Sequence, residues 1–226
     1  MSAPMQRFRE IFLLWAIVFL PGYFSAGSPG GASFLDSPQG LLAVAIKQTV
    51  FALLVIHLLD VQGEAEFLRS PWKVWSGKTL LGAGAIALSL LALAALLRAL
   101  TVSSGQPFSP KSASSPLITA PLTTIPLLTG TLLAVAYGEE IFFRAYLLIR
   151  LNQAGLSSMP ALLISATLFA LTHQWQGPEA VFFAWISGIF LGSVWILRPG
   201  IHHLALGHAA YNALALLIPA IGTATV

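Results

Sequence analysis

Runs of about 20 mostly apolar residues recur along this chain, and each is long enough to cross the hydrocarbon core of a bilayer. Inside lipid every backbone polar group needs a partner within the protein, so only helices and closed barrels span a membrane. The runs lack the period-2 alternation of barrel strands and therefore predict helices. We place spans at residues 8–26, 41–60, 79–101, 117–150, 158–174, 179–197 and 201–219.

The composition supports a membrane location. Charged residues make up 8% of the chain and hydrophobic residues 57%, whereas a soluble domain has about 25% charged residues. This small number of ionisable side chains cannot cover the surface of a water-soluble fold. The excess apolar surface must therefore face lipid. The chain has no cysteine, which excludes disulfides and cysteine nucleophiles. Its basic residues are scattered rather than clustered, so no nucleic-acid partner is predicted. We predict an all-α, polytopic membrane protein with about seven transmembrane helices.

The N-terminal run has two interpretations. Arg7 and Arg9 precede a short apolar stretch that ends in small residues at 25–27, a pattern also found in cleaved signal peptides. We predict a retained first helix, because no second feature of a signal peptide is present. Basic residues favour the cytoplasmic side of a membrane, and their distribution predicts a cytoplasmic N-terminus. On the side of the N-terminus lie Arg7, Arg9, Arg69, Lys73, Lys78, Arg150 and Arg198, against Arg98 and Lys111 on the other side.

Ionisable residues cost several kcal/mol inside a bilayer and usually mark a functional site or pathway, and three of the predicted spans carry them in motifs. Each of these spans has a pair of residues spaced four apart, and such a pair shares one face of a helix. Three helices could therefore turn these faces toward a common interior. The pairs are Glu140 and Arg144, Phe169 and His173, and His208 and Asn212, with Glu139 directly before the first pair.

The two adjacent glutamates are expected to have different roles. An ion pair between Glu140 and Arg144, one turn apart, would neutralise two of the three charges of this motif. Glu139 then remains as the carboxylate without an obvious partner, which suits a general base acting on water. Glu140 and Arg144 could also have a purely structural role, since intramembrane ion pairs lock helices together.

The polar residues of the other two spans complete a possible hydrolytic site. His173 could hold the water or help to deprotonate it. His208 and Asn212 are both possible donors, and they could stabilise an oxyanion that forms on an attacked carbonyl. A water, a base and oxyanion donors together describe amide hydrolysis, with Glu139 as the base.

The ordered motifs EExxxR (Glu139, Glu140, Arg144), FxxxH (Phe169, His173) and HxxxN (His208, Asn212) resemble those of the CPBP family. This family comprises CAAX prenyl proteases of the Rce1 type and bacterial bacteriocin-processing or immunity relatives, known as glutamic intramembrane proteases. The resemblance covers about residues 117–219 and implies a membrane endopeptidase that uses no covalent intermediate and no cofactor. It also implies that Glu139 and His173 activate water and that His208 and Asn212 form the oxyanion site. Glu140, Arg144 and Phe169 would support them.

This resemblance suggests three parts of the chain. Residues 1–116 would hold the first three helices and their loops, residues 117–219 a four-helix catalytic core from the fourth to the seventh span, and residues 220–226 a tail. The expected partners are the lipid bilayer and a membrane-associated or lipid-tethered protein or peptide tail as substrate. The compact chain and short loops favour a bacterial inner membrane.

Three other functions stay open at this point. Glu139, His173 and His208 have the chemistry of zinc ligands, although HExxH is absent, so a metal-dependent intramembrane protease is one alternative. A transporter or proton relay also uses buried Glu, His and Arg, although no inverted repeat is detectable. A non-catalytic binding or immunity protein could use the same residues to hold a lipidated peptide.

Two further features have ordinary interpretations. Gly188 and Gly192 form a GxxxG step in the sixth span, which predicts close helix packing within the bundle. His202 and His203 begin the last span, where we predict that they lie at the membrane interface.

Overall fold

All seven predicted spans correspond to helices in the computed structural model, which describes residues 3–25, 37–64, 76–103 and 124–223. These ranges contain no strand, and the predicted all-α fold is confirmed. Residues 117–123 of the fourth predicted span lie outside the described residues, as do residues 26 and 27, Arg69, Lys73, Lys111 and the last three residues of the tail.

The helices are α1 (Ala3–Ser25), α2 (Pro38–Val61), α3 (Gly77–Ser103), α4, α5 (Ser158–Leu171), α6 (Pro178–Leu197) and α7 (Ile201–Thr223). Helix α4 is a continuous rod of three segments, which are the α-helix Ile125–Glu140, the π-helix Ile141–Tyr146 and the α-helix Leu147–Gln153.

Three helices are long and apolar enough to cross a membrane, namely α2, residues Gly77–Leu100 of α3, and α6. The chain is therefore a polytopic membrane protein, as predicted. Helix α5 is apolar but has only 14 residues, so it is about 21 Å long at a rise of 1.5 Å per residue. The hydrocarbon core of a bilayer is about 30 Å thick, so α5 is too short to cross it upright.

The ends of the helices follow from local sequence. Ser37 precedes α2, and its side-chain oxygen accepts the backbone N–H of Gly40 at 3.0 Å, while Pro38 occupies the first turn. A short 3₁₀ helix, Gln174–Gln176, connects α5 to α6. Gly177 then takes a φ of 104°, which glycine adopts without strain, and Pro178 begins α6.

Helix α4 lies at the centre of the bundle, and Phe142, Phe143 and Tyr146 on its π-helix are completely buried. Helix α2 approaches it closely, because a Cβ added at Gly138 would lie 3.0 Å from Gln48 Oε1. Aromatic rings complete the packing of α4 against α1 and α2. The ring of Phe19 lies 5.4 Å from the ring of Phe143, measured between centroids.

Glycines permit the other close helix contacts. A Cβ added at Gly188 would lie 3.1 Å from Ala166 Cα, and one added at Gly192 would collide with Leu162 Cδ1. Helices α5 and α6 therefore pack closely at the GxxxG step, which confirms its predicted role within the bundle. Gly207 of α7 has the same function against α3, since an added Cβ would lie 2.7 Å from the backbone oxygen of Ala83.

A polar cluster joins three helices at one end of the bundle. The Tyr146 hydroxyl donates to Glu10 Oε1 at 2.5 Å, and Arg150 Nε lies 3.7 Å from the same oxygen. Arg150 is 1% exposed and also pairs through Nη1 with Glu64, which follows α2. The N-terminal part of α1 and the C-terminal ends of α2 and α4 therefore lie on the same side of the bundle. Which side of the membrane this is stays a prediction.

Candidate active site

Glu139 and Glu140 end the first segment of α4, directly before the π-helix, and they are 8% and 0% exposed. The wide turn is visible in the backbone, because the N–H of Leu147 donates to the carbonyl of Phe142, five residues earlier. Such a turn frees a carbonyl from the helical ladder, and Ser165 of α5 donates its hydroxyl to the carbonyl of Phe143 at 2.6 Å. π-Turns inside α-helices often lie at functional sites. The sequence of this turn contains no glycine or proline that would have revealed it.

The ion pair expected between Glu140 and Arg144 is present. Arg144 Nε lies 3.1 Å from Glu140 Oε2, and both side chains are completely buried. The carbon at the centre of the guanidinium group, Cζ, lies 4.4 Å from the centroid of the Phe169 ring, a cation–π contact with α5. Within the described residues, Arg144 Nη1 and Nη2 make no hydrogen bond.

His208 connects the two glutamates. Its Nδ1 lies 2.8 Å from Glu140 Oε1, and its Nε2 lies 3.8 Å from Glu139 Oε2. A carboxylate can only accept, so Nδ1 carries a proton and donates it to Glu140. The sequence suggested that Glu139 lacks a partner and that His208 acts with Asn212, whereas the structure also places His208 against both carboxylates.

His173 lies just beyond α5 rather than inside it, because α5 ends at Leu171 and not at the predicted residue 174. The helix ends early because the hydroxyl of Thr172 donates to the carbonyl of Phe169 at 2.7 Å, a local bond that competes with the helical ladder. His173 Nδ1 lies 3.0 Å from the same carbonyl and 3.1 Å from Thr172 Oγ1. A carbonyl cannot donate, so Nδ1 carries the proton and Nε2 keeps its lone pair when the ring is neutral.

The ring of Phe169 is where the three motifs meet. Its centroid lies 4.7 Å from that of His173 and 6.1 Å from that of His208, and Arg144 covers it as described above. The ring is 2% exposed. Gly188 of α6 makes room for it, because a Cβ added there would lie 3.3 Å from Phe169 Cδ1. Each predicted motif therefore contributes at least one side chain to a single cluster.

Asn212 is the predicted site residue with the least contact to the others. It is half-buried, one helical turn beyond His208 on α7. Its side chain makes no hydrogen bond with the part of the chain that the structure describes. Only the geometry of α7 holds it beside His208.

A hydrogen bond that the sequence did not predict lies next to this cluster. The hydroxyl of Tyr137 lies 3.0 Å from His202 Nδ1, and the two ring centroids are 5.8 Å apart. The structure shows His202 against α4, and its position at the membrane interface stays a prediction. One sequence feature could have placed Tyr137 near the cluster. It lies three residues before Glu140 and therefore on nearly the same face of the helix.

The site offers His and Glu side chains, which are the usual ligands of zinc. Across residues 3–25, 37–64, 76–103 and 124–223, no three His, Asp or Glu side chains converge in a way that could hold a metal ion. The chemistry of the cluster is that of buried carboxylates, imidazoles and one guanidinium group. It can bind a water between acidic and basic groups and can donate hydrogen bonds to a developing negative charge.

Comparison with known proteins gives one family. No curated protein and no solved structure matches the chain significantly. Residues 121–214 match the family model described as type II CAAX prenyl endopeptidase Rce1-like. This segment includes all three motifs and most of α4 to α7, and the family is one of proteases. Over residues 121–214 the chain is therefore similar to the Rce1-like proteases, in agreement with the resemblance to the CPBP family that its three motifs indicate.

Proposed function

We propose that this protein is an intramembrane endopeptidase that hydrolyses a peptide bond in a membrane-associated or lipid-tethered protein tail. The observation that carries the proposal is the position of His208, with one ring nitrogen on Glu140 and the other 3.8 Å from Glu139. The match to a family of prenyl endopeptidases supports the reaction class. The proposed mechanism needs neither a covalent intermediate nor a metal cofactor.

The nucleophile in this proposal is a water bound between Glu139 and His208. Two atoms 3.8 Å apart can both bind one water at about 2.8 Å, the usual length of such hydrogen bonds. Glu139 removes a proton from this water while the oxygen attacks the substrate carbonyl carbon. The protonated Glu139 then donates to the leaving amine as the C–N bond breaks, which leaves a free carboxyl group and a free amine.

The two histidines have different roles in this scheme. His173 accepts a hydrogen bond from the same water through Nε2, because its Nδ1–H is bound to the Phe169 carbonyl. His208 donates Nδ1–H to Glu140 throughout, and its Nε2–H donates first to the bound water and then, once that water has attacked, to the oxyanion. The amide of Asn212 is the second oxyanion donor, and Arg144 balances the charge of Glu140.

The substrate class follows from where the site lies. Glu139, Glu140 and His208 are each less than 10% exposed, and they lie on helices that pack inside a membrane bundle. A segment that already partitions into lipid can reach such a site at little cost in desolvation. We therefore propose a tail held in the membrane by a prenyl or other lipid group as the substrate, and a bacterial inner membrane as the location.

Reconstitution in liposomes tests this function. The probe is an internally quenched peptide that ends in a farnesylated CAAX sequence, and a quenched transmembrane peptide is the second probe. We expect cleavage by the wild type, no cleavage by Glu139→Gln, and unchanged cleavage by Asp60→Asn, which removes an exposed carboxylate at the end of α2. A Glu139→Gln variant with the wild-type rate would refute the proposal.

The same liposomes separate the alternative functions. Loss of cleavage with a strong chelator, and its return with zinc, would select a metal-dependent protease. Ion flux without cleavage would select a transporter. Binding of the farnesylated peptide by both the wild type and Glu139→Gln, without cleavage by either, would select a non-catalytic binding protein.

A further inference from the structure

Helix α1 lies outside the residues that match the protease family, yet it reaches the backbone that carries the second motif. The indole nitrogen of Trp15, Nε1, donates to the carbonyl oxygen of Leu168 at 3.2 Å. Leu168 directly precedes Phe169, and the two bonded residues are 153 positions apart in the sequence.

This hydrogen bond lies where the backbone hydrogen bonds of α5 change from the α-helical pattern to a tighter one. In a regular α-helix the carbonyl of Leu168 would accept the N–H of Thr172, four residues later. Here the N–H of Thr172 donates to Phe169 at 3.2 Å, and the N–H of His173 donates to Ala170 at 3.0 Å. Both bonds reach back three residues, so the last turn is contracted. A backbone carbonyl that loses its donor away from water costs free energy, and Trp15 provides the donor.

The contracted turn sets the orientation of His173. It concentrates three donors on the carbonyl of Phe169, which are the N–H of Thr172, the hydroxyl of Thr172 and Nδ1 of His173. If the N–H of Thr172 returned to Leu168, the turn would widen and the ring of His173 would lose its fixed relation to this carbonyl. The donor of α1 therefore stabilises the backbone form in which Nδ1 of His173 is bound and Nε2 is available.

We propose that Trp15 is a positioning residue for His173. It does not touch the reacting atoms, and it acts by supplying the hydrogen bond that keeps the end of α5 contracted. The inference rests on the proposed function in that His173 is assigned a part in hydrolysis. It gives α1 a part in the site although α1 has no sequence match to the family.

The variants Trp15→Phe and Trp185→Phe form a matched test. Trp185 Nε1 also donates to α5 at 3.2 Å, but its acceptor is the side chain of Thr167 and not a backbone carbonyl. Both substitutions keep an aromatic ring and remove one N–H. We expect Trp15→Phe to lower kcat on the farnesylated probe about fivefold with KM unchanged, since a hydrogen bond contributes on the order of 1 kcal/mol. Trp185→Phe should keep kcat within about twofold, since that lost bond does not involve the terminal turn of α5.

The proposal is wrong if Trp15→Phe retains the wild-type kcat or if Trp185→Phe lowers kcat equally. A readout that needs no substrate separates it from the proposed function. In protein labelled with ¹⁵N-histidine and held in nanodiscs, the wild type should show neutral His173 protonated at Nδ1, and Trp15→Phe should show a mixture of both tautomers. Identical spectra for the two proteins would overturn the role of Trp15, whether or not any peptide is cleaved.

A third measurement covers the case in which Trp15→Phe does not fold. In the wild type held in nanodiscs, with ¹⁵N in the tryptophan indoles and ¹³C in the leucine carbonyls, solid-state NMR should show a dipolar contact between Trp15 Nε1 and the Leu168 carbonyl carbon. Trp185 Nε1, whose acceptor is the side chain of Thr167, is the internal comparison. A Trp15 indole without this contact would show that the bond to Leu168 does not persist, and the proposal would fail.

Discussion

Arg144 lies over the face of Phe169, with its guanidinium carbon 4.4 Å from the ring centroid. The contact joins the first motif, on α4, to the second motif, at the end of α5. The same ring touches both histidines of the cluster. Phe169 is therefore a structural centre for the site, although it has no group that could take part in hydrolysis.

Phe169→Leu should lower activity by about two- to thirtyfold. Leucine fills most of the space but lacks the π-face that holds Arg144, an interaction of about 0.5–2 kcal/mol. Cleavage of the farnesylated probe and thermal unfolding in detergent are the measurements. Phe183→Leu is the control, because it removes a ring that stacks on Tyr211 at 5.5 Å instead. Equal activity of the two variants would contradict the role given to Phe169.

Arg144→Met should destabilise the protein by about 3–5 kcal/mol, the usual effect of leaving a buried charge without its partner. The double variant Arg144→Met with Glu140→Gln should recover part of this loss, because it removes the unpaired carboxylate as well. Denaturant unfolding of the two single variants and the double variant measures the coupling. Strictly additive losses would show that the ion pair at 3.1 Å does not couple the two residues.

Asn212→Leu should separate activity from stability. The loss of one oxyanion donor lowers kcat by about 10²–10³. The unfolding free energy should change by less than about 0.5 kcal/mol, because the side chain is half-buried and makes no hydrogen bond within the described residues. Asn152→Leu, at an exposed position near the end of α4, is the control for the same change of side chain. An Asn212→Leu variant with full activity would remove this residue from the proposed site.

Gly188→Ala should reduce both activity and stability. The added methyl group would lie 3.1–3.3 Å from Ala166 and Phe169, and overpacking of this kind costs about 1–3 kcal/mol. The displaced ring would move Arg144 and both histidines with it. Gly130→Ala in α4 is the matched control, because a Cβ there meets nothing within 4 Å. That control should be neutral or stabilising by up to about 1 kcal/mol, so a similar loss in both variants would argue against the contact with Phe169.

The sequence predicted the helices well because the signal for each of them is local. An apolar run such as the one in α2 must be helical in lipid whatever surrounds it. The Glu140–Arg144 ion pair was predictable for the same reason, since one turn of one helix sets it. The roles of the site residues stay predictions.

What the sequence did not predict depends on packing between distant segments. The π-turn needs a hydroxyl from Ser165 for its free carbonyl, and Trp15 finds its acceptor on α5 only after the chain has folded. His208 meets both glutamates because α7 packs against α4, and no spacing within α7 reveals which neighbour it will face. The early end of α5 involves the hydroxyl of Thr172 and, in our proposal, the indole of Trp15, and no local spacing in α5 reveals either bond.

The shortness of α5 bears on how a hydrolase can work away from bulk water. With 14 residues, α5 falls about 9 Å short of the thickness of the hydrocarbon layer. Lipids next to such a short helix must dip, or its polar end must sit below the headgroups. In either case Gln174 and Gln176 place polar side chains directly after His173, and in the proposed reaction the nucleophilic water would reach the imidazole from this side of the membrane.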